Sequence, residues 1–388
     1  MMDGIADRIA DTQPNEQRLH ALRDVLAANA SRYDKLGCFP ADNFGALRQS
    51  GVLALTVPRR HGGGGGGLRA AAQVLGILAE GCSGTALIVA MQLMKQSALA
   101  RGDLWPEQTR ARIFDDAVTR GGLINALRVE PELGSPTRGG LPAATVRRSA
   151  DGWLLSGHKI FSTGAPGLRW MDVWARTEDE PARVGHVIVP ADAPGISIVE
   201  TWDHLGMRAS CSHDVIFDDV PVDGDFIALR PPVEWPPADL SQGAWNAGCI
   251  GAVYTGIARA TRDWVADFLR HRVPSALGVP LATLPRAQEK VGEIEMLLSA
   301  NARLIGSVAS DTDNGNPPHP NESALLKVMI IENAVRAVEL AAGLAGNHAH
   351  ARVNPIERYI RDVRCGRIQA PQADAAYVAS GRALLSPA

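Results

Sequence analysis

The sequence predicts an α+β multidomain protein, with an N-terminal α-helical domain (1–120), a middle β-barrel domain (121–232) and a C-terminal four-helix bundle domain (233–388). Three observations carry that expectation. Apolar residues recur at helical spacing up to about residue 118. Between 123 and 228 the pattern changes to short β-type runs separated by Gly, Pro and Asp. From about Asp239 onwards come four long helical segments joined by short loops.

Taken in order, Leu19, Leu22, Val25 and Leu26 share one face of a helix over 16–36. Ala41–Arg48 is a shorter helix ended by Ser50-Gly51. Val52–Val57 stops at Pro58, and Arg59-Arg60-His61 opens a run of six glycines, Gly62–Gly67. No Lys-Ser/Thr follows it, as a phosphate loop requires, and uninterrupted glycine predicts a flexible connector. Two helices are expected from Leu68 to about Leu104, split near Gly81–Gly84. The second, Thr85–Leu99, is apolar nearly all round and is expected to be buried. Trp105-Pro106 starts another helix.

The β-type runs are Leu123–Leu127, Ala143–Val146, Trp153–Leu155, Val173–Ala175, Val184–Val189 and Ile196–Val199. Trp153–Leu155 lead into a Ser156-Gly157 turn and His158–Phe161 run back, a hairpin closing on Ser162-Thr163-Gly164. Pro231-Pro232 and Pro236-Pro237 mark the exit. The last helical segments cover 239–272, 286–313, 322–344 and 355–385. Their near-continuous apolar character predicts burial on two sides, as in the interface of a homo-oligomer, dimer or tetramer.

Composition excludes several classes. With 46% apolar and 21% charged residues and a formal net charge of -3, the chain reads as a soluble globular protein without the cationic surplus that recruits nucleic acid. Its five cysteines are scattered and form no C-x-x-C, against a disulfide scaffold or a zinc site. The N-terminus lacks the apolar core of a signal peptide, and uncharged runs such as Trp245–Ile257 are too short to span a bilayer. The expected location is cytoplasmic, with no membrane partner.

Four segments carry a family resemblance. Gly157-His-Lys-Ile-Phe-Ser-Thr-Gly164 resembles the flavin-facing segment of the acyl-CoA dehydrogenase superfamily. Val129-Glu-Pro-Glu-Leu-Gly-Ser135, Leu205-Gly-Met-Arg-Ala-Ser210 and Pro355-Ile-Glu-Arg-Tyr-Ile-Arg-Asp362 resemble three more of its motifs, in order and at about its spacing. The resemblance covers nearly the whole chain. It implies FAD, or FMN, in a cleft between the β-domain and the bundle, and a small-molecule or acyl-thioester substrate. Phe161, Ser162 and Thr163 would pack on and hydrogen-bond the ring. The stretch containing Leu127, Val129 and Ser135 would wrap its pyrimidine edge and phosphates, with Val129 standing where the family usually has Thr. Arg272 matches an arginine reaching a neighbouring subunit's flavin diphosphate, Gln288 a glutamine near the adenosine, and Gly346 a loop contacting the neighbour's flavin.

The resemblance also locates a departure. Family dehydrogenases remove an α-proton with a Glu, because the base must be ionised near neutrality. Counting nine positions from Arg361 gives Ala370, and the family's other placement falls near Ala244; neither is acidic. The tail running through Arg361-Asp-Val-Arg and Gly381-Arg-Ala-Leu-Leu385 looks more like the two-component monooxygenases of the same fold, which receive reduced flavin from a flavin reductase. Where these carry one His the chain has Gln369, and a second falls near Gln92. Glutamine hydrogen-bonds but does not shuttle a proton. Asp374, one turn beyond Gln369, is a substitute acid that also suits the first turn of a helix after Pro371. Asp239 is an outside candidate that suits an N-cap. The arginines flanking Cys365 would lower its pKa, although a cysteine in a buried helix is more often packing, and His348 and His350 form at most a weak metal pair and are expected to line the bundle end near the cofactor, so no metal is expected. Three readings follow. Oxidation of an acyl thioester, delivering electrons to an acceptor, stands slightly ahead of reduced-flavin monooxygenation. The third is a catalytically inactive flavin- or acyl-binding homologue.

Overall fold

The computed structural model describes residues 15–132, 140–150, 152–231, 234 and 239–386. The N-terminal part is five helices: α1 (Glu16–Leu36), α2 (Ala41–Ser50), α3 (Leu68–Gly81), α4 (Ser83–Arg101) and α5 (Glu107–Arg120). Helix α4 is buried on all sides along its first half, as its unbroken apolar composition predicts.

The glycine run differs from expectation. It is a folded turn, not a flexible connector. The N–H groups of Gly63, Gly64, Gly65 and Gly66 donate to the carbonyls of Pro58, Ala54, Val57 and Leu55 at 3.3, 3.0, 2.8 and 2.8 Å. A Cβ on Gly63 would stand 2.4 Å from both Cβ and O of Val57, and one on Gly64 2.7 Å from the Leu55 carbonyl. Glycine is needed because two main-chain stretches touch there. Helix α3 begins immediately after, and its N-cap Gly67 offers no side chain. Asp313 supplies the cap from afar, accepting from the N–H groups of Leu68 (2.7 Å) and Arg69 (3.0 Å).

The middle part is one curled sheet of β1 (Leu123–Leu127), β2 (Thr145–Ser149), β3 (Gly152–Lys159), β4 (Leu168–Thr177), β5 (Val184–Pro190), β6 (Ile196–Val199), β7 (Asp214–Val222) and β8 (Ile227–Arg230). The order is β6-β7-β3-β2-β4-β5-β8, with β1 parallel to β4. The expected hairpin turn at Ser156-Gly157 is absent: β3 runs straight through it with a bulge against β7. Gly157 serves close approach, since a Cβ there would meet that of Ala144 at 2.5 Å.

The C-terminal part contains α6 (Leu240–His271), α7 (Pro285–Asp313) and α8 (Pro320–Ala345). The expected fourth helix is broken into α9 (Ile356–Arg364), a 3₁₀ turn (Cys365–Ile368) and α10 (Ala373–Leu385). Pro371 cannot donate to a continuing helix, and Gly366 packs so closely on Ile331 that a Cβ would lie 2.8 Å from its Cγ2. No helix among the described residues is long and apolar enough to cross a membrane.

Arg361 and Asp362 join the three parts. Asp362, 2% exposed, accepts from Ser83 Oγ of α4 at 2.5 Å and from the Met207 N–H of the β-domain at 2.6 Å. Arg361 donates to Asp34 of α1 at 2.7 Å and to the Leu205 carbonyl at 3.0 Å.

Two glycines separate the packing argument from general glycine effects. Gly63→Ala is expected to destabilise the protein by about 1–3 kcal/mol through overpacking. Gly45→Ala lies within α2 with nothing in 4 Å of the new Cβ, and is expected to be neutral or to stabilise by up to about 1 kcal/mol. Chemical denaturation measures both.

Candidate active site

The Ile160–Gly164 turn is suspended between two other segments. Ile160 N–H donates to the Val129 carbonyl (2.9 Å), Ser162 N–H to His213 O (3.1 Å) and Gly164 N–H to Ser210 O (2.8 Å). Asn125 Nδ2 donates to the Thr163 carbonyl at 3.0 Å. Held this way, Phe161 adopts a left-handed φ of 55° and leaves half its side chain exposed. That conformation is unfavourable for a bulky residue and persists only where the surroundings impose it. Its ring meets Trp202 and His204 edge-on, and those two rings stack at 3.6 Å. Below lies a line of hydroxyls: Thr163 Oγ1 to Ser212 Oγ at 3.0 Å, and Ser212 Oγ to Ser210 Oγ at 2.8 Å. Ser162 Oγ is buried with no hydrogen-bond partner among the described residues. Leaving a buried hydroxyl unpaired costs about 1–3 kcal/mol, which a polar ring edge placed here would recover. An exposed aromatic, an orphaned hydroxyl and a hydroxyl line therefore fit a planar heterocycle such as a flavin.

A buried ion pair supports this turn from behind. Lys159 Nζ donates to Glu130 Oε1 and to the Trp174 carbonyl, both at 2.5 Å. Glu130 also accepts from the N–H groups of Ala143 (2.7 Å) and Ala144 (3.0 Å). Burial pulls the Lys159 pKa down, against the opposing pull of Glu130. The pair fixes the end of β3 to the segment after β1. Asp172 similarly bridges sheet and helix, paired with His186 and with Lys95 of α4. Burial would raise its pKa, but the pairing with His186 and Lys95 holds it well below the usual carboxylate range.

The broken segment after α9 forms a second candidate wall. Lys327 of α8 is buried and spreads its ammonium over the carbonyls of Gly366 (3.3 Å), Gln369 (2.5 Å) and Pro371 (3.4 Å). Burial pulls its pKa down to about 8. Asn246 Nδ2 donates to the Ala370 carbonyl at 2.8 Å. Gln369 Nε2 thereby reaches the hydroxyl of fully buried Tyr254 at 3.4 Å, and burial pushes that phenol well above its ordinary pKa. Ala244 is buried and, like Ala370, offers no acid.

The other sequence expectations distribute unevenly. Gln92 is buried with its amide committed to main chain: Nε2 donates to Leu53 O and Gly122 O, while Oε1 accepts from Ile124 N–H at 2.6 Å. It anchors the start of β1. Leu127 turns its side chain into the core, and Val129 offers its carbonyl to Ile160. Ser135 lies outside the described residues. Asp374 is exposed in the first turn of α10, and Asp239 is the N-cap of α6, accepting from Ser241 N–H. Cys365 shows the reverse of the expected activation, because burial pushes its thiol up to about 12. Arg272, Gln288 and Gly346 are all exposed and gather at one end of the bundle. There the Arg272 carbonyl accepts from Leu281 N–H, Gln288 donates to Ala282 O, and His348 packs 5.1 Å from Phe268.

Sequence reasoning missed Asn125, Trp202, His204, Ser212 and Lys327. Ser212 stands two residues past the recognised Leu205–Ser210 segment. Lys327 is a lone charge inside an apolar run from Leu325 to Ile330, which was a readable signal.

Helices, sheet and helices around a ring-sized polar turn are the architecture of a class of oxidoreductases that work through a flavin. Residues 18–102, 128–220 and 248–370 match the N-terminal, middle and C-terminal domains of acyl-CoA dehydrogenase. The chain belongs to the acyl-CoA dehydrogenase family. YdbM of Bacillus subtilis strain 168, provisionally named an acyl-CoA dehydrogenase, is 32% identical over 92% of this chain and 93% of its own length. L-evernosamine nitrososynthase of a Micromonospora strain is 30% identical over 92% of this chain and 87% of its own. Among solved structures, KijD3 in complex with FMN and dTDP-3-amino-2,3,6-trideoxy-4-keto-3-methyl-D-glucose superposes with a TM-score of 0.78 at 28% identity, covering 95% of this chain and 92% of that one.

Removing one member of the buried pair tests its supporting role. Glu130→Gln leaves Lys159 charged without a counter-ion and is expected to cost about 3–5 kcal/mol. Denaturant unfolding measures the loss; a change under about 1 kcal/mol would show that the pair does not hold the turn.

Proposed function

We propose that the chain is a reduced-flavin-dependent monooxygenase acting on a small organic molecule. The observation that carries this reading is the Gln369–Tyr254 pair in the segment where family dehydrogenases need an ionised carboxylate. An amide on an un-ionised phenol binds and orients; it does not take a proton from a carbon acid. The nitrososynthase match and the FMN complex of KijD3 lend support.

Bound reduced flavin would supply the oxygen-activating chemistry, as FMN or FAD. The residues present would do the rest. Phe161 offers the ring a face, with Trp202 and His204 as its shelf. Ser162 Oγ and Thr163 donate to or accept from its polar edge. Gln369, positioned by Lys327 and Asn246, orients substrate, and the apolar surroundings of Tyr254 exclude water. Exposed Met296, Met329, Tyr377 and Leu385 favour a homo-oligomer, in which the grouped Arg272, Gln288 and Gly346 would face a neighbour's flavin. A separate flavin reductase is the implied partner. Acyl-thioester dehydrogenation is the second reading, favoured by the whole-length match to YdbM.

The deciding experiment supplies the protein with FMN or FAD, NADH and a flavin reductase under labelled O2, against a panel of amines, sulfides and aromatics. Labelled oxygen in a product, dependent on the reductase, is expected. Bleaching of bound flavin by an acyl-CoA without oxygen would establish dehydrogenation instead, and silence in both assays would favour a non-catalytic binding protein. In the same preparation, Ser162→Ala is expected to weaken flavin binding by about 1 kcal/mol, roughly fivefold in Kd, without lowering the melting temperature of the flavin-free protein.

A further inference from the structure

The end of β1 stands in a group of charges that do not cancel. Asp172 of β4 pairs with Lys95 of α4 and with His186 of β5, and Glu130, just after β1, pairs with Lys159. Arg128, the residue that follows β1, belongs to the same group. Burial lowers the pKa of Lys159 and of His186, and the Arg128 charge lowers both further. His186 is therefore neutral near pH 7. Three cations, Lys95, Arg128 and Lys159, then face two carboxylates, Asp172 and Glu130, and one positive charge is left over.

The surplus falls on Arg128. Both Asp172 oxygens lie 3.0 Å from His186 Nδ1, and one also meets Lys95. The Glu130 oxygens are taken by Lys159 and by the N–H groups of Ala143 and Ala144. Arg128 has no hydrogen bond or ion pair among the described residues, and its guanidinium lies 5.0 Å from the centre of the Trp174 ring. The residue is exposed, yet burial pulls its pKa down, with Asp172 opposing. A guanidinium loses hydration only where protein surrounds it, so exposure together with desolvation marks a recess open to solvent. The next residue, Val129, accepts the Ile160 N–H through its carbonyl at 2.9 Å, and Phe161 follows Ile160. The recess adjoins the ring-facing turn.

We infer that Arg128 binds the carboxylate of the substrate, a small organic acid. Calling that acid the substrate rests on the monooxygenase reading; the binding of a carboxylate does not. A guanidinium presents two parallel N–H donors to a carboxylate, and the Trp174 face steadies the planar group. One negative charge balances the cluster, whereas a phosphate monoester, at about -1.5 to -2 near pH 7, would overfill it. An anion held here orients the rest of its molecule beside Phe161.

Calorimetric titration of the FMN-loaded protein with benzoate and phenylacetate, each against its neutral amide, tests the assignment. Both acids are expected to bind, and the amides to bind about tenfold more weakly or less well still. Arg128→Met should lower affinity for the acids about tenfold or more and leave that for the amides unchanged, which also reports that the variant is folded. Arg128→Glu should reject the acids and take benzylamine. Absence of binding by both acids, equal affinity for acids and amides, or acid affinities unchanged in Arg128→Met would overturn the inference. So would an Arg128→Met protein that binds riboflavin normally and FMN weakly, since the guanidinium would then hold the cofactor's phosphate. Arg128-dependent binding of the acids in a protein that takes up no flavin, or stays inert with reductase and oxygen, would uphold the site while removing the proposed reaction.

Discussion

Three parts of the chain converge on one buried carboxylate. Asp362 holds α4 through Ser83 and the β-domain through the Met207 N–H, while its neighbour Arg361 holds α1 through Asp34. Burial raises the Asp362 pKa, and the bonds from Ser83 and Met207, with Arg358 nearby, oppose that rise. A carboxylate is tolerable inside only because each oxygen has a donor. The junction lies two residues before α9 ends at Arg364. Seven positions on, Lys327 fixes the same chain again through three carbonyls. Gln369 stands between two restraints, one ionic and one built on main-chain dipoles.

The Phe161 turn obeys a different constraint. It is not stabilised by its own sequence, since Phe161 sits in a region of backbone space that disfavours it. The neighbours impose the geometry: Asn125 from β1, His213 and Ser210 from the loop before β7, and the Lys159–Glu130 pair beneath. The outcome is an exposed aromatic beside an unpaired hydroxyl, an arrangement that makes sense once a ring covers it.

Much of this was legible in the sequence, and the misses share a cause. The α–β–α order, the buried α4 and the strand at Leu123–Leu127 follow from periodicity, which local sequence carries. Three glycine-bearing sites misled, each through a contact distant in sequence. Gly157 admits Ala144 rather than making a turn, Gly63 admits Val57 rather than loosening the chain, and Gly366 admits Ile331 where a helix was expected. For the candidate site, contiguous motifs pointed to Phe161–Thr163 and Gln369. Gln92 fell to the three main-chain bonds that it makes, one to Leu53 and two at the start of β1. Asn125, Ser212 and Lys327 went unassigned because their roles exist only once their segments meet.

The claim on which the account depends is that a flavin ring lies on Phe161, facing the bundle. A crystal structure of the protein grown with FMN or FAD tests it most directly. Ring density is expected against Phe161, with Ser162 Oγ within hydrogen-bonding distance of its polar edge and Gln369 on its other side. Flavin bound elsewhere, or a cleft filled by side chains with Ser162 Oγ paired to protein, would contradict it.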